Sequence, residues 1–161
     1  MNESMTTKIR RLDITSPAFE HGGMIPVKYS CDGEKVSPPL HIAHVPDHTV
    51  SLVLIAEDPD TPKGTFDHWL VWNIKPAPVI KENENPGISG INSAGETGYH
   101  PPCPPDGKHR YYFYIYALDV LLDLQTDARK PELQRAMKRH ILAKGELMGY
   151  YRRIENKSKN M

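Results

Sequence analysis

The chain has 161 residues, of which 39% are hydrophobic and 25% are charged, which is enough for one domain with a substantial core over residues 1–161. Twenty basic residues balance twenty acidic ones, so no overall charge favours nucleic acid and any anion site must be local. No apolar run approaches the length of a membrane span, and residues 1–7 do not resemble a secretion signal. We therefore expect a cytoplasmic chain with loose tails at residues 1–8 and 154–161.

Short apolar segments at hairpin-like spacing dominate the first half of the chain. Residues 25–29 predict an edge segment because Pro26 cannot donate a backbone hydrogen bond to a neighbouring strand. The β-branched and aliphatic run at residues 50–56 is typical of a strand buried on both faces. Such a series of short strands predicts a mostly β domain, a sandwich of antiparallel sheets. The predicted strands cover residues 8–14, 40–43, 50–56 and 68–74.

Acidic residues follow one of these strands, and a histidine begins the next one. Asp58 and Asp60 flank Pro59 after the strand at 50–56, where we expect the chain to leave the sheet, and His68 begins the next strand. A carboxylate and an imidazole at one end of neighbouring strands can relay protons, bind an anion or hold a metal. Asp is also a favoured turn residue, so turn capping is the alternative interpretation.

A proline-rich loop forms the second notable stretch. Four of the five residues from Pro101 to Pro105 are prolines, which exclude both a helix and a central strand. The loop continues into the aromatic strand predicted at residues 112–118. It therefore brings His109, Arg110 and Tyr111 to a strand edge, and pocket residues are common on loops that a rigid sheet holds in place.

The last third of the chain predicts one helix and a closing strand. Pro131 suits the first position of a helix, and Gly145 is expected to end it. We expect one face of this helix to carry an apolar stripe, which consists of Leu133, Ala136, Met137, His140 and Ile141. Residues 147–153 predict the closing strand. Residues 75–97 are rich in Pro, Asn, Gly, Ser and Glu, which makes them too polar to be buried and interrupts any helical pattern. We therefore expect a long surface loop.

Three of these motifs together resemble the phosphatidylethanolamine-binding proteins, also called Raf kinase inhibitor-like proteins, and most closely their short prokaryotic branch. They are Asp-Pro-Asp-Thr-Pro at 58–62, His-Trp-Leu-Val-Trp-Asn-Ile at 68–74, and Pro-Cys-Pro-Pro-Asp-Gly-Lys-His-Arg-Tyr at 102–111. The resemblance covers residues 9–153. It implies an antiparallel β-sandwich with a C-terminal α-helix, in which residues 75–97 form the rim of a pocket.

The same resemblance implies a binding or regulatory protein rather than an enzyme, without a cofactor or a metal. Its expected ligand is a small phosphate-type anion or a phospholipid headgroup. Its expected partner is a kinase or another protein, and prokaryotic members tend to form homodimers. The pocket residues implied are Asp58, His68, Pro102, His109 and Tyr111, with Asp60, His100 and Cys103 as additional candidates.

Two other site chemistries stay open. A small hydrolase can use Asp58 with His68 or His109 as acid and base, either with or without Cys103 as the nucleophile. A metal site can be built from Asp58 together with His68, His100 and His109.

The resemblance carries three further expectations about the loops. Cys31 and Cys103 lie in family motifs and can face each other beneath the pocket, although we expect reduced, buried thiols rather than a redox pair. The peptide bond before Pro62 is expected to be cis. Pro101 stands where the family has glycine, which removes a backbone N–H donor to the anion, and we expect His100 to compensate.

Overall fold

The computed structural model describes residues 8–154, so the predicted tails lie almost entirely outside the described residues. Within this range, no helix is both long and apolar enough to span a membrane. In chain order the elements are β1 (Arg10–Arg11), β2 (Asp13–Thr15), β3 (Leu40–Ala43), β4 (Ser51–Thr61), β5 (Gly64–Ile74), β6 (Val79–Ile80), β7 (Ile88–Ser89), β8 (Lys108–Leu118), α1 (Lys130–Met137) and β9 (Ile141–Arg152).

The strands form two sheets, which confirms the mostly β fold. The larger sheet has the order β1-β9-β8-β4-β5-β7, and the smaller sheet has the order β2-β3-β6. All pairings are antiparallel except that between β1 and β9, so the larger sheet is mixed. The expectation of purely antiparallel sheets is corrected at this one edge, where a two-residue strand pairs alongside β9 without a hairpin.

The alternating pattern of the long strands divides the core into two layers. On β8, Phe113 and Ile115 are buried toward the smaller sheet, in one cluster with Leu54. On the opposite face, Trp72 and Leu133 belong to a second cluster, which α1 helps to cover. Because side chains alternate across a strand, a single sheet supplies one wall of both layers.

The hairpin of β4 and β5 extends further than the sequence indicates. β4 continues through Asp58 and Asp60 to Thr61, and only two residues separate it from β5. Register shifts on either side of Asp58 interrupt the ladder and let the strand accept Pro59. The expectation that the chain leaves the sheet after Ala56 is therefore wrong. Asp58 and Asp60 are strand residues on an irregular, bulged segment.

The helix is shorter than the sequence indicates. It ends at Met137, and residues from Ile141 onward belong to β9, so the predicted stripe through Ile141 and the stop at Gly145 are wrong. Gly145 lies inside a strand that pairs with almost the full length of β8. The helix also precedes the final strand, and Pro131 is its second residue rather than its first.

Two other segments differ in detail from the prediction. Residues 25–29 contain a short 3-10 helix at Val27–Tyr29 rather than an edge strand. The surface segment at 75–97 is mostly irregular, as predicted, but it contributes β6 and β7 to the two sheets.

Candidate functional site

A cavity of about 200 Å³ lies where β4, β5 and β8 meet the proline-rich loop. Buried titratable side chains converge here, whereas a larger groove of about 710 Å³ beside β9 is lined mainly by surface side chains. For that reason we take the smaller cavity as the candidate site. Its lining residues are Asp58, Thr61, Pro62, Phe66, His68, His100, Cys103, Pro104, Pro105 and Tyr111.

Asp58 and His109 form a buried pair at the inner end of the cavity. Asp58 is 2% exposed and His109 is 6% exposed. The Nδ1 atom of His109 lies 2.7 Å from Oδ2 of Asp58, and the backbone N–H of Asp60 donates to Oδ1 at 2.7 Å. Because a carboxylate only accepts, the ring donates from Nδ1. His109 does not line the cavity itself but positions Asp58, which does.

His68 is held as a neutral imidazole. Its Nδ1 atom lies 2.7 Å from the carbonyl oxygen of His100, so Nδ1 carries the proton and Nε2 has a free lone pair. Burial is the main reason that the pKa of His68 is lowered to about 4, and the neighbouring His100 ring lowers it further. At neutral pH this histidine is therefore a hydrogen-bond acceptor toward the cavity and not a cation.

Tyr111 supplies the opposite hydrogen-bonding capacity. Burial and the negative charge of Asp58 raise the pKa of its hydroxyl well above the usual range, so the hydroxyl stays protonated. Its ring packs edge-on against His68 with ring centroids 5.3 Å apart. The cavity thus combines a donor, Tyr111, with an acceptor, His68.

Asp60 and Arg110 form an ion pair outside the cavity. Arg110 donates from two guanidinium nitrogens to the two carboxylate oxygens of Asp60, at 3.0 and 2.7 Å, and its backbone N–H donates to Oδ2 at 2.9 Å. These bonds lower the pKa of Asp60 to about 2. Asp60 therefore does not join the other predicted residues in the cavity, but it ties the bulged end of β4 to β8.

Cys31 and Cys103 are joined by a disulfide, with their Cα atoms 5.4 Å apart. The expectation of reduced, buried thiols is corrected, because Cys103 is exposed and Cys31 is half-buried. The two residues are 72 positions apart, so only the packing of the proline-rich loop against the turn at Cys31 brings them together. The disulfide consumes the free thiol that would make Cys103 a nucleophile, which leaves the form of the hydrolase hypothesis that uses only Asp58 with His68 or His109.

The residues around Pro101 divide between the cavity lining and the interior of the protein. The side chain of His100 lines the cavity, and its ring centroid lies 5.6 Å from that of His68. Pro102 is buried outside the lining, and its carbonyl accepts the N–H of Cys31 at 3.0 Å. Pro104 and Pro105 provide the wall instead. The peptide bond before Pro62 is trans, which corrects the expected cis bond.

The four residues considered for a metal site do not converge on one point. His109 and Asp58 bind each other, and His68 is bonded to a backbone carbonyl. Among residues 8–154, no group of three or more His, Cys, Asp or Glu side chains could hold a metal ion.

Phe66 is the main cavity residue that the sequence reasoning missed. Its ring lies 4.8 Å from the ring of His68 and 5.4 Å from that of His100, measured between centroids. Residues two apart on a strand share a face, so Phe66 could have been found from its spacing to His68. The three rings form one aromatic cluster in the cavity lining.

Comparison with protein families gives a match over most of the chain. Residues 15–152 match the family model described as phosphatidylethanolamine-binding protein. A UPF0098 protein of Chlamydia muridarum is 50% identical over 150 residues, covering 87% of this chain and 98% of the relative. A UPF0098 protein of Archaeoglobus fulgidus is 51% identical over 144 residues, and there the match covers only half of the relative's length.

Solved structures agree with this match. A phosphatidylethanolamine-binding protein homologue from Chlamydia trachomatis is 48% identical and superposes with a TM-score of 0.87, covering 90% of this chain and 99% of that one. Escherichia coli YbcL, described as a member of the mammalian family, superposes with a TM-score of 0.81 at 23% identity, which supports the fold alone.

Proposed function

This chain belongs to the phosphatidylethanolamine-binding protein family, and from that premise we propose that it is a binding protein whose cavity holds the phosphate group of a small ligand or a phospholipid headgroup. The family's name refers to a lipid whose headgroup carries a phosphate. The cavity of about 200 Å³ matches a headgroup or a free phosphate rather than a whole lipid.

The observation that carries this proposal is the pairing of Tyr111 with neutral His68 in one cavity. The Tyr111 hydroxyl can donate to a phosphate oxygen, whereas Nε2 of His68 can only accept while the ring is neutral. The monoanion of inorganic phosphate or of a phosphate monoester matches both, because its remaining P–OH group can donate to Nε2 or pass its proton there. A phosphodiester headgroup has no P–OH group, so it can accept a hydrogen bond from His68 only after the ring is protonated. The dianion of a phosphate monoester has no proton for this bond, and any dianion would face the carboxylate of Asp58 with a second negative charge.

The ligand affinity should therefore depend on pH. A phosphate monoester loses its second proton near pH 6, so the monoanion predominates below that pH. Binding of an anion also favours protonation of His68, whose pKa is about 4 in the free protein. Both effects act in one direction, and affinity should rise as the pH falls from 7.5 to 5.5. The gain should be about tenfold or more, because one charge-assisted hydrogen bond contributes about 1.5–3 kcal/mol.

Titrations followed by backbone amide shifts test this proposal. Inorganic phosphate and phosphoethanolamine are added at pH 7.5 and at pH 5.5, with acetate as the control for a general anion effect. Shifts should cluster around Asp58, His68 and Tyr111. The His68→Asn variant keeps a donor to the carbonyl of His100 but loses Nε2, so its affinity should increase less at pH 5.5 than that of the wild type. Equal dissociation constants for the wild type at both pH values would contradict the proposal.

His100 provides a second test, because it stands beside Pro101, which has no N–H to offer an anion. We expect His100→Ala to weaken phosphate binding, since it removes a ring from the cavity wall. Unchanged affinity in this variant would show that the ring does not compensate for the missing donor.

A hydrolase is the second candidate, and the Asp58–His109 pair is the observation that favours it. The carboxylate fixes the proton on Nδ1 and leaves Nε2 of His109 as a base, as in hydrolytic triads. With Cys103 in a disulfide, this chemistry needs water as the nucleophile. Turnover of p-nitrophenyl acetate that is lost in His109→Asn would support it. Modulation of a kinase or another partner and homodimer formation stay predictions from the resemblance, and a cytoplasmic location stays a prediction from the sequence.

A further inference from the structure

The Cys31–Cys103 disulfide connects a turn in the body of the protein to the wall of the candidate cavity. We propose that this bond is a thiol–disulfide exchange site, attacked at Cys103 by small thiols and dithiols, and that breaking it releases the cavity wall and weakens ligand binding. The exchange itself does not depend on the identity of the ligand. Its effect on affinity rests on the function proposed above.

The Cys31 side of the bond is firmly held. Ser30 donates its backbone N–H to the carbonyl of Val27 at 3.0 Å, and Gly33 donates to the carbonyl of Ser30 at 3.1 Å. A side chain at Gly33 would overlap the backbone of Val27 and Lys28, so this turn packs closely on the 3-10 helix. Cys31 therefore lies on a segment that keeps its shape without the disulfide.

The Cys103 side has much weaker support. Pro101, Pro102, Pro104 and Pro105 have no N–H group and cannot donate hydrogen bonds. Within residues 8–154, one hydrogen bond ties residues 101–107 to the rest of the protein, from the N–H of Cys31 to the carbonyl of Pro102 at 3.0 Å. The disulfide joins the same two segments. Both of these ties are therefore at Cys31, and cleavage of the disulfide leaves the loop with a single hydrogen bond and the packing of buried Pro102 and Pro104.

The exposure of the two sulfur-bearing residues favours attack at Cys103. Cys103 is exposed and lines the cavity, whereas Cys31 is half-buried in its turn. A thiolate forms a new S–S bond with Cys103 and breaks the bond to Cys31, which leaves as a thiolate and takes up a proton. The second thiol of a dithiol then displaces Cys103, which gives two free protein thiols and one oxidised dithiol. Two electrons pass from the dithiol to the protein.

Each product changes the cavity. A mixed disulfide on Cys103 places a new group at the wall of a cavity of about 200 Å³ and so competes with a ligand. Full reduction frees Cys103, Pro104 and Pro105 from their covalent link to Cys31. The part of the cavity wall that they form is then no longer fixed at one distance from the rings of Phe66, His68 and His100.

Peptide mapping tests the site of attack. The oxidised full-length chain is incubated with reduced glutathione, and all free thiols are trapped by excess N-ethylmaleimide at neutral pH before peptide mapping by mass spectrometry. We expect the glutathione adduct on Cys103 and the N-ethylmaleimide adduct on Cys31. Glutathione adducts on Cys31, or no glutathione adduct at all, would overturn the assigned exchange site.

Phosphate titrations test the effect on the cavity. The dissociation constant for inorganic phosphate at pH 5.5 is measured for the oxidised chain and for the same chain reduced with dithiothreitol. We expect reduction to weaken binding by about tenfold, the effect of one lost hydrogen bond in the cavity. A variant with Cys31→Ser and Cys103→Ser is the control, because dithiothreitol should not change its affinity. Equal affinity of the oxidised and reduced wild type would overturn the proposed effect of the disulfide on ligand binding.

The two proposals fail in distinguishable ways. If the oxidised chain does not bind phosphate, the proposed function fails, and the effect of the disulfide on the cavity is judged from the backbone amide signals of His68 and His100. Signals that move on reduction of the wild type support the release of the cavity wall. Signals that stay in place when mass spectrometry shows complete reduction contradict it. Because these comparisons use the wild-type chain, they hold even if the double variant does not fold.

Discussion

At the scale of the residue, two neighbouring features of the structure set the protonation state of the His68 imidazole. The carbonyl of His100 fixes the proton on Nδ1, and burial lowers the pKa of the ring to about 4. The same burial that prepares Nε2 as an acceptor also makes the protonated ring unfavourable in the folded chain. His68 should therefore affect stability as well as ligand binding.

We predict that His68 makes the protein less stable in acid. The unfolded chain binds a proton on this residue below about pH 6.5, but the folded chain binds one only below about pH 4. Protonation thus favours the unfolded state between these values, and the free energy of unfolding should fall by about 2–3 kcal/mol as the pH drops through this window. Urea unfolding at pH 7 and pH 4.5 measures this loss. It should be smaller in His68→Asn and unchanged in His48→Asn, a matched change at an exposed histidine.

At the scale of the element, β9 contains a glycine, Gly145, at a point where another segment passes close to its backbone. The chain between β1 and β2 crosses close to β9 at Gly145, where an added Cβ would overlap the carbonyl of Leu12. The backbone N–H of Leu12 donates to the carbonyl of Lys144 at 2.9 Å, which holds the crossing in place. This close approach explains why a glycine that resembles a helix terminator in the sequence lies within a strand.

Replacing Gly145 with Ala should therefore destabilise the fold. The backbone of Leu12 must move away from β9, and overpacking of this kind costs about 1–3 kcal/mol. Chemical denaturation measures the change. Lys144→Ala is the control, because Lys144 is exposed and its truncation should change the free energy of unfolding by less than about 0.5 kcal/mol. If the Gly145→Ala variant is as stable as Lys144→Ala, the backbone at Leu12 can move away from β9 without lowering the free energy of unfolding.

Helix α1 is held to the larger sheet by an ion pair as well as by its apolar face. Nζ of Lys130 lies 2.6 Å from Oδ1 of Asp67 and 3.1 Å from Oε1 of Glu57, and all three side chains are 18% exposed. Leu133 and Met137 on the same helix are buried against the sheet. Lys130 therefore neutralises two neighbouring carboxylates at the point where the helix starts.

We predict that Lys130→Ala lowers the free energy of unfolding by about 1–3 kcal/mol, because it leaves Glu57 and Asp67 without their shared counterion in a mostly desolvated position. Arg135→Ala is the matched control on the same helix. Its ion pair with Glu132 is exposed, so its loss should cost less than about 0.5 kcal/mol. Equal effects of the two variants in denaturation experiments would contradict a special role for Lys130.

At the scale of the whole molecule, the disulfide connects two parts of the chain that the sheets do not join directly. Cys31 lies before the smaller sheet's β3, and Cys103 lies just before the central strand β8. A bond that closes a loop of 72 positions strongly restricts the unfolded chain. Its contribution to stability is therefore separate from its effect on the cavity.

We predict that the combined Cys31→Ser and Cys103→Ser variant is less stable than the oxidised chain by about 2–4 kcal/mol. Wild-type protein kept in dithiothreitol should have nearly the same stability as this variant, since both lack the cross-link. Thermal and urea unfolding provide the comparison. If the oxidised and reduced wild type unfold at the same urea concentration, the cross-link does not stabilise the fold.

The sequence by itself determined the features that depend on local patterns and motifs. Apolar runs and turn residues predicted a mostly β chain. The motifs around Asp58, His68 and His109 predicted the family and the set of polar side chains near one end of the sheet. Phe66 shares a strand face with His68 and could have been included by the same rule of alternation.

Only the tertiary structure decided what depends on distant partners. The disulfide requires that Cys31 and Cys103 meet across 72 positions, and Gly145 lies in a strand because the backbone at Leu12 approaches it closely. Likewise, the neutral state of His68 follows from burial and from the carbonyl of His100, 32 positions away. The sequence shows which groups are present, but their pairing, burial and protonation depend on three-dimensional neighbours that no local pattern specifies.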